Sequence, residues 1–156
     1  MGKMDIDIEE RKVQAVEYFK QGYNCAQSVL LAYADVFDLE PELAKRVAGS
    51  FGGGMGRLRE VCGAVSGMFM VLGLHYSAVN PDERSVKKAN YAAVQRTAKL
   101  FKEQFGTIIC RDLLGIKRQQ ESSVPSDRTA AYATRPCARF VGEAAAIVGE
   151  DINRFS

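Results

Sequence analysis

Four cysteines, Cys25, Cys62, Cys110 and Cys137, are the residues of this chain best suited to chemistry. A thiolate can ligate a metal, attack a disulfide or oxidise to a sulfenate. No two of the four form a Cys-x-x-Cys pair, so neither a zinc ribbon nor a thioredoxin-type motif is present. The single histidine, His75, makes histidine-rich metal sites and most triad chemistries hard to build. The leading expectation is that packing brings the four sulfurs into one site or into two close pairs. Such a site could hold an iron–sulfur cluster, because four thiolates are its usual ligand set. It could equally run dithiol–disulfide exchange without metal. Two other readings stay open: a non-catalytic module that binds zinc or another metal through the four thiolates, or binds a small ligand, and a helical interaction protein whose cysteines only fill gaps.

Position along the chain favours reactivity. Cys25 follows the capping residue Asn24, Cys62 follows a glycine-rich loop, Cys110 lies three residues after Thr107, and Cys137 follows Pro136. All four fall in the first turn of an expected helix. Helix N-termini carry unpaired amide donors and a partial positive charge, which favour thiolate over thiol. Arg57 and Arg59 precede Cys62, Arg111 follows Cys110, and Arg135 and Arg139 flank Cys137.

The loop Gly52-Gly53-Gly54-Met55-Gly56-Arg57 offers two roles. Its amides could cradle an anion or cofactor through Gly53, Gly54 and Gly56, or a tight reversal could carry the backbone past a neighbouring cysteine. It has neither a preceding strand nor the Gly-Lys-Ser/Thr ending of a phosphate loop. Gly63 and Gly67 read first as a small-residue face for helix approach, and second as space for a cofactor or substrate beside Cys62. His75 reads as a capping or surface residue, and Met55, Met68 and Met70 as packing.

Apolar residues recur at helical spacing almost throughout, and no stretch alternates with period two. The pattern predicts an all-α fold: a single compact helical bundle of five to six main helices around a central apolar helix. The expected helices are Ile8–Gln21 with Val13, Val16 and Phe19 on one face, one opening at Asn24, a short one from Pro41, and the apolar helix Glu60–Tyr76. A long helix should start at Asn80-Pro81-Asp82-Glu83 and carry Val86, Asn90, Ala93, Val94, Thr97, Leu100, Phe101 and Phe105. A short helix capped by Thr107 follows, and a last one runs from Arg135 or Pro136 to Val148. Residues 1–7 read as a loose tail and 116–129 as a surface loop, within one domain spanning 1–156.

Composition narrows the function classes. Hydrophobic residues make up 47% and charged residues 26%, enough apolar surface to offset the ordering entropy of one globular domain. A formal net charge of +2 gives no electrostatic case for nucleic acid or an acidic membrane surface. The longest apolar stretch, Val61 to Leu74, is shorter than the roughly 20 residues that span a bilayer, so no membrane span is expected. Acidic residues in the first ten positions argue against a secretory signal. A cytoplasmic setting is expected, in which thiols stay reduced. Oligomeric state and resting redox state are not legible.

The string Cys62-Gly63-Ala64-Val65-Ser66-Gly67 resembles a bacterial and archaeal family of putative redox-active proteins with a Cys…Cys-Gly-Ala-x-x-Gly…Cys…Cys pattern. The resemblance extends to Gly22-Tyr23-Asn24-Cys25-Ala26-Gln27, the loop Phe51 to Arg57, Phe105-Gly106, Cys110-Arg111-Asp112-Leu113-Leu114-Gly115 and Cys137. It runs from about Arg11 to Val148. It implies a redox or prosthetic-group protein working through the four cysteines, with a redox partner protein or small molecule. Some members of that family carry a twin-arginine export signal, which this sequence lacks. The resemblance brings no established reaction or substrate.

Overall fold

A computed structural model describes residues 4–77, 79–115 and 137–155. Seven helices are present among them: α1 (Ile8–Lys20), α2 (Cys25–Tyr33), α3 (Pro41–Ala48), α4 (Gly63–Tyr76), α5 (Arg84–Phe105), α6 (Cys110–Leu114) and α7 (Cys137–Phe155). The expected all-α class holds. Seven helices stand against the five to six main ones expected, five of them longer and two, α3 and α6, the short ones anticipated at Pro41 and after Thr107. No helix among the described residues is long and apolar enough to cross a membrane.

Local chemistry explains where the helices start. Asp7 accepts from the Glu10 amide and opens α1, with Glu9 and Glu10 in the favourable first turn. Asn24 and Gln27 form a reciprocal capping box for α2. Pro41 opens α3, with Glu40 as its cap. At the start of α5 the expectation fails: Asn80 to Glu83 closes into its own turn, in which the Glu83 carboxylate accepts from the Asn80 amide, and the helix begins only at Arg84. Thr107 also differs from expectation. Its hydroxyl accepts from the nearby Ile109 amide, and Ile109 occupies the cap position of α6.

The interior is shared by two helices rather than built around one. Eight of the nine residues of α2 are buried, and α4 is buried along most of its length. These two helices pack on each other, α1 lies on α2 and α7, and α5 lies on α4 and α7. Close approach of α2 and α4 requires glycine: a Cβ on Gly67 would lie 2.7 Å from the Ala26 carbonyl oxygen. Gly67 therefore serves helix contact and does not border the cysteine site. The long stripe on α5 holds at Ala93, Thr97 and Phe101, whereas Leu100 is exposed. Val13 on α1 is exposed as well, leaving Ala15 and Phe19 as the buried positions of that helix.

The last helix does not stop at Gly149 but continues to Phe155. Gly149 lies under the Tyr33 ring edge, whose hydroxyl donates to the Ala145 carbonyl at 2.6 Å. Beyond it, Asp151 receives Arg96 at 2.8 and 3.1 Å and the Tyr76 hydroxyl at 3.2 Å, tying α7 to α5 and α4. Within the described part of the expected loose tail, residues 4–7, Ile6 is buried and its backbone exchanges two hydrogen bonds with the Asn153 side-chain amide. His75 stacks edge-on against Tyr76 and packs near Phe37, and burial holds its imidazole below the usual histidine value. The 116–129 loop, Arg135 and Pro136 fall outside the described residues.

Candidate functional site

Each cysteine stands where a helix begins. Cys25, Cys110 and Cys137 are the first residues of α2, α6 and α7, and Cys62 is the cap residue of α4. The capping box that starts α2 also ties it to its surroundings: Asn24 Nδ2 donates to the Gly49 carbonyl and Gln27 Nε2 to the Lys45 carbonyl. Cys62 and Cys110 are brought together by a short antiparallel pairing centred on a bridge between Val61 and Ile109. In it the Cys62 amide donates to Ile108 and the Cys110 amide to Glu60. Both cysteines flank the bridge residues, so both side chains point to the face opposite Val61 and Ile109.

That face closes a small cavity of about 20 Å³, room for roughly one water molecule. All four cysteines line it, together with Gly53, Gly54, Arg59, Gly63, Leu113, Leu114 and Phe140. All four are buried and carry free thiols. A hydrogen bond with Cys137 is the largest influence on the Cys25 thiol, which also feels charge on Cys62 and Cys110, and the Cys62 thiol feels charge on Cys110 and Cys137.

The glycines at the site act through their missing side chains. A Cβ on Gly54 would lie 2.6 Å from the Cys110 Cβ, and one on Gly63 would lie 3.0 Å from the Cys25 Cβ. Residues 53 to 57 form a left-handed turn, with φ between 62° and 70° at Gly53, Gly54, Met55, Gly56 and Arg57, and Arg59 follows at φ 61°. Within and just after the turn, Gly56 and Arg57 donate to the Gly52 carbonyl, Arg59 to Gly53 and Glu60 to Gly54. Of the three glycines expected to cradle an anion, Gly56 thus has its amide engaged inside the turn. Gly56 lines an open groove with Asn24, Gln27 and Arg57, and Gly53 borders both that groove and the cysteine cavity.

Burial overrides the helix-terminus effect on the thiols. The amides of Ala64 and Val65 hydrogen-bond to Cys62 and lower its pKa, as a helix start should. Loss of water contributes more, and the Cys62 thiol is pushed up to about 12. The Cys25 thiol is raised well above its usual value, first by its hydrogen bond to Cys137 and then by burial. The expected thiolate character is therefore absent at these two sulfurs. Arg59 was placed by sequence beside Cys62, yet its Nη1 donates to Cys110 Sγ at 3.6 Å, and the residue is only 5% exposed.

The donor set is that of a metal or iron–sulfur centre, but the spacing does not match one. Among the described residues, no group of three or more His, Cys, Asp or Glu is arranged to hold a metal ion.

Three wall residues were not singled out from sequence. Leu113 and Leu114 lie three and four places after Cys110, and Phe140 lies three after Cys137. Those spacings put them on the cysteine faces of α6 and α7, so helical periodicity carried the signal.

Among known families, the model described as "Putative redox-active protein (C_GCAxxG_C_C)" matches residues 23–150. In this chain the central element has the order Cys62-Gly63-Ala64. No curated protein and no solved structure matches it.

Proposed function

Because the chain belongs to the C_GCAxxG_C_C family of putative redox-active proteins, we propose that its four-thiol cavity is a thiol–disulfide redox centre in which Cys25 and Cys137 form the working dithiol. The observation that carries this reading is the hydrogen bond between these two thiols inside a cavity lined by all four cysteines. Two thiols that share a hydrogen bond are neighbours, and a side-chain adjustment that shortens their separation would let them bond. Oxidation joins Cys25 and Cys137 and releases two electrons and two protons to a disulfide-bearing small molecule or protein; reduction runs the reverse.

The surroundings suit this chemistry. Leu113, Leu114 and Phe140 give the sulfurs an apolar wall, which limits access of solvent-borne oxidants to the resting dithiol. Burial keeps Cys25 and Cys62 protonated near neutral pH, so these two sulfurs rest as thiols rather than as reactive thiolates. A disulfide across Cys25 and Cys137 would clamp the starts of α2 and α7, helices that already pack together.

The test is a redox equilibrium. Reduced protein is held in buffers of graded glutathione to glutathione disulfide ratio, and remaining thiols are counted after acid quenching. The wild-type protein is expected to lose two thiols in one two-electron transition. Cys25→Ser and Cys137→Ser, with unchanged helical circular dichroism, are expected to lose that transition. Persistence of all four thiols in the most oxidising buffer, or an identical transition in either variant, would overturn the assignment.

A further inference from the structure

We propose that Cys110 is the sulfur that first meets an incoming disulfide, and that Arg59 is the positioning residue that holds it ready for attack. The inference rests on the redox reading above and adds the order in which the sulfurs act. Cys25 and Cys137 are engaged with each other, and Cys62 is held as a thiol by its burial. Cys110 instead receives the Nη1 hydrogen of a guanidinium, a permanently charged donor that favours negative charge on sulfur.

The fold goes to unusual lengths to place that donor. Arg59 is buried and lies in the left-handed region, at the end of a left-handed turn that includes the non-glycine residues Met55 and Arg57. L-residues adopt this conformation only against a steric penalty, and such outliers cluster at functional sites. The same turn lays Gly54 directly on the Cys110 Cβ, where no side chain would fit. The cavity wall and the donor are thus delivered by one strained segment.

The sequence of bonds balances. The Cys110 thiolate attacks one sulfur of R–S–S–R, forming Cys110–S–R as the substrate disulfide breaks and R–S⁻ leaves. Cys25 displaces the second R–S⁻ and bonds to Cys110. Cys137 then bonds to Cys25, and Cys110 departs with its electron pair as the thiolate that began the cycle. The two protons lost by Cys25 and Cys137 end on the two R–S⁻ groups. One substrate disulfide is reduced, one protein disulfide is made, and Cys110 is regenerated.

A regenerated thiol changes a rate without changing an equilibrium. Reduced full-length protein is mixed with glutathione disulfide, quenched at intervals and mapped by mass spectrometry. Cys110→Ser and Arg59→Met are each expected to slow formation of the Cys25–Cys137 disulfide by about tenfold or more, the range set by loss of a hydrogen bond to a charged group. Both should leave its position in a glutathione redox buffer unchanged, and Arg59→Lys should recover part of the lost rate. In Cys25→Ser, where the relay stops after its first step, glutathione should accumulate on Cys110, a readout independent of whether Arg59→Met folds. Wild-type rates in Cys110→Ser, or capture of glutathione on Cys62 or Cys137 in Cys25→Ser, would overturn the proposal while leaving the redox reading intact. Failure of the wild-type protein to form a Cys25–Cys137 disulfide would instead defeat the redox reading itself.

Discussion

At Cys62 two opposed effects meet on one atom, and their sizes decide the outcome. Amides at the start of α4 stabilise a thiolate, while removal from water destabilises it by more. Sequence showed the first effect and not the second, because a cysteine after a glycine loop carries no mark of how deeply it will be buried. The consequence is measurable. With its thiol pushed up to about 12, alkylation of Cys62 by iodoacetamide in the reduced native protein should rise about tenfold per pH unit from pH 7 to 10 without levelling, since the rate follows the thiolate fraction. A plateau below pH 9 in native protein would contradict this. Arg59 teaches the complementary lesson. Its nearness to Cys62 in sequence was visible, but its contact with Cys110 depends on positive φ at Met55, Arg57 and Arg59. Nothing in the identities of those side chains announces such a conformation.

Among the elements, helix starts were the most legible features, because caps are local chemistry. Asn24 and Pro41 both mark real beginnings. Tertiary contact decided the rest: α7 runs through Gly149 because the absent side chain leaves room for Tyr33. The left-handed turn is the element on which the cavity most depends, and glycine has two separable roles there. Gly54→Ala places a Cβ in a left-handed backbone and 2.6 Å from the Cys110 Cβ, and should cost about 3 kcal/mol or more. Gly115→Ala ends α6 with the same left-handed conformation but with nothing within 4 Å, and should cost only about 1 kcal/mol. Urea unfolding of the two variants checks the contrast, and equal losses would show that Gly54 is required only for its backbone angle.

Over the whole molecule, buried thiols link folding to pH with a definite sign. Below pH 9 the Cys62 thiol is protonated in both folded and unfolded chains, so it contributes no pH dependence. Between about 9 and 12 the unfolded chain loses that proton while the folded chain keeps it, so stability falls as pH rises, by up to about 1.4 kcal/mol per unit. Cys25, raised in the same direction, adds to the fall. Urea midpoints under reducing conditions should therefore drop from pH 8.5 to 10 and drop less steeply in Cys62→Ala; a flat profile would contradict the burial. The all-helical class and the cysteine positions were legible because both rest on local pattern. The shape of the cavity was not, because it depends on a bridge between Val61 and Ile109 and on a turn of the opposite hand. The most direct measurement is peptide mapping of wild-type protein oxidised by glutathione disulfide at low protein concentration. The account predicts an intramolecular cross-link joining the Cys25 and Cys137 peptides; a folded, oxidised monomer in which those two peptides are never linked would contradict it.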